Sequence, residues 1–255
     1  MRGRMLPKVS ILDPRLTISE PIQASVHIPY TELPYRVHEL PPKGQQLMVA
    51  DFGDESLAAL EWLGSNGRQP SLTSDFTYGD DGLARLWAPN AFLESCLGQI
   101  PQGKALDIAC GSGRDAVYMA SGGWNVTAID HLPDAISLGQ DLEQLYLKSR
   151  LPIDWIPGDL TRVSLEDRWD LITCFFFLNR TVLANALESL VPGGHFIVET
   201  FTSVHREMFG KPRSPDFVLL PGELRAMAEG LEILEYEEAM HGNRHTAQIW
   251  AKRPG

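Results

Sequence analysis

Three acids stand where three apolar segments end: Asp107 in Ala105-Leu106-Asp107, Asp130 in Thr127-Ala128-Ile129-Asp130, and Asp159 after Ile156-Pro157-Gly158. Between the first two lies a glycine-bearing turn, Gly111-Ser112-Gly113, with Ala116 completing a G-x-G-x-x-A pattern. Glycines there leave no side chain between backbone and ligand, so a nucleoside-type group can lie against the end of the first segment. Asp130 follows Gly113 by 17 residues, close to the spacing of about 20 at which an acid meets ribose hydroxyls. The glycine pattern alone is weak; two apolar strands and two carboxylates framing it strengthen it.

The turn also fits a dinucleotide, and charge separates the two readings. A pyrophosphate is best held by bare backbone N–H groups with no negative charge beside them. Here Asp107 lies just upstream, where it can orient a cationic amino group through the loop backbone or a water. S-adenosylmethionine carries an amino group, a carboxylate and a sulfonium, and no phosphate. On that reading Asp107 serves the amino-acid end, Asp130 the ribose, and Asp159 with Leu160 the adenine. Ala109, Gly111, Gly113, Arg114, His131 and Phe175 complete the expected cofactor set. Arg114 is placed to pair with the methionine carboxylate or to stand solvated in a first helical turn. Capping of a helix before Leu132-Pro133 is the structural alternative for Asp130, and a turn after Gly158 the alternative for Asp159.

These segments resemble the class I S-adenosylmethionine-dependent methyltransferases. DIACGSG resembles the first motif of that family, AID the second, GDL the third, WDLITCFFFLN the fourth and LVPGGHFIVET the fifth. The resemblance runs from roughly Phe76 to Lys252 and is most similar to the tellurite-resistance and thiopurine methyltransferase-like branch. It implies transfer of a methyl group to a small nucleophile, with a thiol or chalcogen oxyanion as the acceptor class. Ala109 replaces the first glycine of the family's motif, which a negative φ would allow. A protein that binds the cofactor as a sensor or scaffold without turnover is the alternative from another class.

On the acceptor side, Phe175 to Asn179 follows the fourth strand, where the methyl group should point, so Asn179 and Arg180 are candidates to hold substrate. The segment Thr200 to Pro215 is expected to be a loop carrying His205, Arg206, Lys211 and Arg213, a basic mouth in a chain of net charge −11. Such a mouth would steer an anion. Glu199 is a candidate base or a partner for Arg206. The catalytic candidates are therefore Asn179, Glu199, His205 and Arg206. His241 and His245 are four apart, but Gly242 and Asn243 break the helix that zinc ligation at that spacing needs, so no metal is expected.

Alternating strands and helices from Lys104 onward place these residues on a doubly wound α/β sheet. Strands are expected at 104–109, 125–130, 153–157, 169–176, 194–200, 231–238 and 245–252, and helices at 82–98, 114–121, 133–148, 180–190 and 222–229. A hairpin-length connection between the last two strands makes one of the seven antiparallel near the carboxyl end. Residues 1–75 form a separate proline-rich region with one helix, Glu55 to Leu63, and 76–255 the larger domain. Within the first region Asp13-Pro14-Arg15, Val26-His27-Ile28-Pro29 and Leu47 to Asp51 resemble a rhodanese-like α/β fold. Asp51 stands where that family has its nucleophilic cysteine, and a carboxylate cannot carry a persulfide.

Composition bounds the rest. With 255 residues, 44% hydrophobic and 22% charged, the chain can bury a core. The acidic balance disfavours nucleic-acid partners, which need a basic face. The longest uncharged apolar run, Leu171 to Leu178, is too short to span a bilayer. Pro7 and Lys8 interrupt any secretory segment after Arg2 and Arg4. Cys96, Cys110 and Cys174 form no C-x-x-C pair, which suits a reducing cytoplasm. Cys110 is expected to be a packing residue rather than a reactive thiol. A small-molecule substrate is the expected partner, and the oligomeric state is left open.

Overall fold

The computed structural model describes residues 5–147, 152–163 and 168–255. Arg2 and Arg4, and residue 148 at the end of one expected helix, lie outside them. The chain divides into two compact units, Met5–Ala88 and Pro89–Gly255.

The first unit holds a four-stranded parallel sheet of β1 (Ile11–Asp13), β2 (Ser25–His27), β3 (Leu47–Ala50) and β4 (Pro70–Thr73), in the order β2-β1-β3-β4. Helix α1 (Asp54–Ser65) links β3 to β4 and buries Ala59 and Leu63. Its core also takes Leu12, Ile28, Leu33, Leu40 and Val49. The composition changes near residue 75, yet residues 76–88 pack with this unit. Tyr78 bridges to Ile22 and Arg85 to Lys8, which carries the unit to Ala88.

The second unit contains α2 (Ala91–Leu97), β5 (Lys104–Ile108), α3 (Arg114–Ser121), β6 (Asn125–Asp130), α4 (Pro133–Tyr146), β7 (Asp154–Pro157) and β8 (Trp169–Phe175). It continues through α5 (Arg180–Glu188), β9 (Leu190–Phe201), α6 (Ser203–Phe209), α7 (Glu223–Met227), β10 (Glu232–His241) and β11 (Arg244–Lys252). Seven strands form one sheet in the order β10-β11-β9-β8-β5-β6-β7. β11 pairs antiparallel with both β10 and β9, and the other pairings are parallel. This is the doubly wound, mostly parallel sheet with one reversed strand that the sequence predicts. Near-continuous apolar runs in β5 and β8 are what burial on both faces demands, and Leu106, Ile108, Ile172 and Cys174 meet in its core.

Three expectations are corrected. The helix expected over 82–98 forms only from Ala91. Pro89 has no N–H to donate, and the Asn90 side chain caps the helix by accepting from the Phe92 and Leu93 amides at 2.8 and 3.3 Å. The stretch 200–215 is not all loop: Thr202 caps α6 and Gly210 closes it in the left-handed conformation at φ 67°. The fifth parallel-sheet strand begins at Leu190 rather than at 194, because Gly193, at φ 80°, turns the chain there without ending the strand and donates to the Arg253 carbonyl.

Candidate functional site

The carboxyl ends of β5, β6 and β8 sit side by side, so the register places Asp107 beside Thr173 and Ile108 beside Cys174. In open α/β sheets this edge is where ligands bind. Asp107 is 1% exposed. One oxygen accepts from the Thr173 hydroxyl at 2.9 Å, and Oδ2 is buried with no hydrogen-bond partner. An unpaired buried carboxylate oxygen is costly. Burial is the main cause that pushes this carboxyl well above the ordinary carboxylate range, and the neighbouring Asp115 and Asp130 add to it.

Asp115, in the first turn of α3, accepts from the Asn90 amide at 2.6 Å. Burial raises its pKa to about 6, against the lowering effects of that bond and of Arg114, while Glu199 raises it further. Glu199 is itself buried at the end of β9, with one oxygen on the Asn90 amide nitrogen and the other on the Thr246 hydroxyl, both at 2.8 Å. Three acids thus form a series at this edge, Asp107 next to Asp115 and Asp115 next to Glu199. In sequence Asp115 reads only as a first-turn acid that complements the helix dipole, and Asn90 and Thr173 belong to no functional motif. The signal for Asn90 was present, since Pro-Asn before an apolar helical run is a capping pattern; nothing in the sequence marks Thr173, whose place comes from strand register.

The turn between β5 and α3 has two glycines with different duties. Gly111, at φ 53°, has open space where a Cβ would stand, so its backbone is approachable by a ligand. Gly113, at φ 72°, is demanded by packing: a Cβ would come within 2.4 Å of the Trp155 ring and 2.9 Å of the Gly139 Cα. Ala109 is a correction. Its methyl group would be tolerated at negative φ, and the residue instead sits at φ 55°, held in the left-handed region that glycine normally fills. Asp130 accepts from the Gly111 amide through one oxygen and the Leu132 amide through the other, both at 2.9 Å. It therefore ties the turn to β6 and caps the approach to α4, and each oxygen keeps a second lone pair for a ligand hydroxyl. His131 stands beside it at 3.4 Å.

Asp159 is exposed and closes a turn on Thr161, accepting from its amide at 3.0 Å and its hydroxyl at 2.7 Å, with Arg162 at 3.5 Å. These bonds hold its pKa below the ordinary value. Leu160 is buried in the core of the sheet. Cys110 is half-buried, and desolvation drives its thiol far up from the usual value, which leaves it unreactive.

On the acceptor side several candidates are engaged structurally. Asn179 caps α5, its oxygen accepting from the Val182 amide at 3.1 Å. Arg180 pairs with Glu223 and donates to the Asp216 and Val218 carbonyls. Glu199 does not meet Arg206, which instead donates to the Arg213 carbonyl at 3.2 Å. His205 is buried between the Phe201 and Phe209 rings, each centroid at 4.6 Å. Burial, then Arg244 and His245, lower its pKa. Its Nδ1 accepts from the His245 amide at 3.1 Å, so the neutral ring carries its proton on Nε2. Phe175 ends β8 opposite Glu199. His241 and His245 each use Nδ1 on a threonine hydroxyl, Thr246 and Thr202, at 2.7 Å.

The model of the tellurite resistance protein TehB family matches residues 93–253. The chain belongs to the TehB family. A curated relative, a probable S-adenosyl-L-methionine-dependent methyltransferase TehB of Haemophilus influenzae, is 28% identical over 144 residues, 54% of this chain and 49% of the relative. The chain thus spans about half the length of the curated TehB relative it matches. Among solved structures, TehB from Haemophilus influenzae superposes with a TM-score of 0.55 at 23% identity, over 65% of this chain and 62% of that one. The N-methyltransferase NodS from Bradyrhizobium japonicum, in complex with S-adenosyl-L-homocysteine, superposes with a TM-score of 0.52 at 20% identity, over 64% and 84%. At these identities the structural likenesses establish the fold.

Among the described residues no helix is long and apolar enough to cross a membrane, and no group of three or more acid, histidine or cysteine side chains is arranged to hold a metal ion.

Proposed function

We propose that the second unit transfers a methyl group from S-adenosylmethionine to a small anionic nucleophile, a thiolate or chalcogen oxyanion. The observation that carries this reading is the buried Asp107, whose Oδ2 has no hydrogen-bond partner, with Asp115 and Asp130 near it and an open Gly111 turn next door. A sheet edge that gathers several acids suits a ligand with an ammonium and a sulfonium and disfavours a diphosphate. Asp107, with Asp115 behind it, would take the ammonium, the Gly111 backbone the amino-acid chain, the spare lone pairs of Asp130 the ribose hydroxyls, and Asp159 with Leu160 the adenine side. Bound there, the cofactor supplies a methyl group already activated on sulfur.

The chain's own residues then need only align the acceptor and keep water out. Both oxygens of Glu199 are engaged, and neutral His205 presents an N–H rather than a lone pair at Nε2, so neither is set up as a base. An acceptor that arrives ionised has no proton to lose, which agrees with that arrangement. The same absence of a free base is what favours the second reading, a cofactor-binding sensor without turnover.

Methyl-tritiated S-adenosylmethionine incubated with selenite or with 2-mercaptoethanol separates the two. Label in the volatile or organic product is the expected result; tight cofactor binding with no transfer to either acceptor favours the sensor.

For the first unit we propose a rhodanese-like fold without its chemistry. Its support is the bidentate Asp13–Arg15 pair after β1, at 2.9 and 2.7 Å, and the β3-loop-α1 passage in which Asp51 takes the nucleophile's position.

A further inference from the structure

The first unit carries an exposed aromatic cluster of its own. Its four strands are parallel, so the segments that leave β1, β3 and β4 emerge at one edge of the sheet, the edge at which open parallel sheets bind ligands. There the Phe52 and Phe76 rings lie 5.5 Å apart, and Tyr78 meets Phe76 edge-on at 5.9 Å. Tyr78 is 51% exposed, and Leu16 and Ile18, on the loop after Arg15, are 49% and 42% exposed. Apolar side chains scattered singly over a surface need no explanation, whereas a gathered aromatic cluster with a charged rim marks an interaction surface.

The cluster already holds one guanidinium. Arg15 stands 4.2 Å over the Phe52 ring and 6.0 Å from the Tyr78 centroid, with its charge met by Asp13. Aromatic faces beside carboxylates are what a guanidinium seeks, and the rim offers more carboxylates than Arg15 uses. Asp51 and Asp54 flank Phe52, Asp75 precedes Phe76, and Asp80 lies just beyond Tyr78. All four are exposed. Among the described residues none of the four is in an ion pair. Lys8, Lys43 and Arg68 instead precede β1, β3 and β4, at the edge where the strands begin. Acids at one end of the sheet and bases at the other give the aromatic edge a negative potential, which draws cations and repels phosphate groups.

We propose that this edge of the first unit is a docking surface for an arginine-bearing, partly apolar segment of a partner protein. The arginines of that segment take the free carboxylates and the aromatic faces, and its apolar side chains cover Leu16 and Ile18. The fit follows from charge complementarity, since a nucleic acid or an anionic lipid surface meets four like charges here. It also follows from the apolar centre, which a hydrated metal ion or a simple polyamine would leave exposed. Arg15 belongs to the platform itself: buried and paired with Asp13, it presents no free charge that would oppose a basic segment. The helix α1 supports the same edge, because Glu55 in its first turn accepts from the Leu16 amide at 3.1 Å and so fixes the loop that carries Leu16.

The test is a fluorescence-anisotropy titration of the full chain into a labelled peptide of alternating arginine and leucine. A peptide with glutamate in place of arginine is the charge control, and free arginine amide is the competitor. Wild type is compared with the paired Asp51→Asn, Asp75→Asn variant, with Tyr78→Ala, and with Glu61→Gln, an exposed acid further along α1. Wild type should bind the arginine peptide, more weakly as salt rises, and should ignore the glutamate peptide. Affinity should fall roughly fivefold or more in the paired variant and in Tyr78→Ala, and stay within about twofold in Glu61→Gln. The paired variant changes charge at exposed positions and keeps the shape of each side chain, so its loss of binding cannot come from unfolding, which the melting temperature checks. Equal affinity in wild type and the paired variant overturns the proposal, because binding then reflects the acidic chain as a whole. No binding of the arginine peptide at millimolar concentration also overturns it. Free arginine amide that competes as strongly as the peptide assigns the edge to a small cation and removes the partner protein.

Discussion

At the scale of single residues, the site depends on carboxylates kept in an environment that disfavours their charge. Asp115, raised to about 6 by burial, and Asp107, also raised by burial and by its acidic neighbours, hold protons in the folded chain that an unfolded chain would release near pH 4. Between those pH values the folded state binds more protons, so stability without ligand falls as pH rises from about 4 through about 6. A cationic ligand reverses the effect. Scanning calorimetry should therefore show S-adenosylhomocysteine raising the melting temperature more at pH 7.5 than at pH 5, and an equal shift at both would contradict the charge argument. Ala109 makes a second prediction at this scale. A left-handed alanine costs about 1 kcal/mol, so Ala109→Gly should raise stability by about that amount in a denaturant titration, less the backbone freedom glycine gains when unfolded. Asp107, Asp130 and the glycine turn were legible in the sequence because their offsets from apolar runs are local. The positive φ of Ala109 and the threonine under Asp107 were not, since both are consequences of tertiary packing.

At the scale of elements, the contact between α3, α4 and β7 is as tight as the ligand turn it supports. Gly113 and Gly139 both face the Trp155 ring, where an added Cβ would come within 2.4 Å, and the indole N–H of Trp155 is fixed on Glu143 at 2.6 Å. Gly113→Ala combines overpacking with a left-handed alanine and should cost about 2–4 kcal/mol. The loss would appear as a lowered melting temperature even before the cofactor is added. Asn90 links two functions, capping α2 and holding Glu199. Asn90→Ala removes a cap worth about 1 kcal/mol and leaves a buried Glu199 oxygen without its partner, so the loss should exceed that of a cap alone. The strands of the large sheet could be read to within a few residues because buried parallel strands are continuous apolar runs. The helices next to prolines could not: Pro89 and the Asn90 cap delay α2, and α6 is a seven-residue helix whose apolar and basic residues show too little periodicity to announce it.

At the scale of the molecule, family membership accounts for the second unit and leaves the first outside it. The matched span, 93–253, falls within Pro89–Gly255, and Met5–Ala88 carries its own sheet and core. That the first region stands apart from the rest was legible from its proline-rich composition, whereas its extension to Ala88 depends on bridges to Tyr78 and Arg85 that no local pattern reveals. Asp51 is exposed after β3, and the cysteine nearest to it in sequence, Cys96, is buried in α2, so the first unit's described residues carry no thiolate to hold sulfur. Incubation with thiosulfate and cyanide should yield no thiocyanate above the uncatalysed rate, and a measurable yield would require a nucleophile this fold does not present. The acceptor side is where the sequence was least informative, because Asn179, Arg180 and Glu199 look available until their structural partners are seen. The most direct measurement of the whole account is the affinity of S-adenosylmethionine for wild type and Asp107→Asn by calorimetry at pH 7.5. Binding to wild type, weakened roughly tenfold or more by the loss of one buried charge, is the predicted result; equal affinity in the two proteins, or preference for a diphosphate dinucleotide in the same crevice, would contradict it.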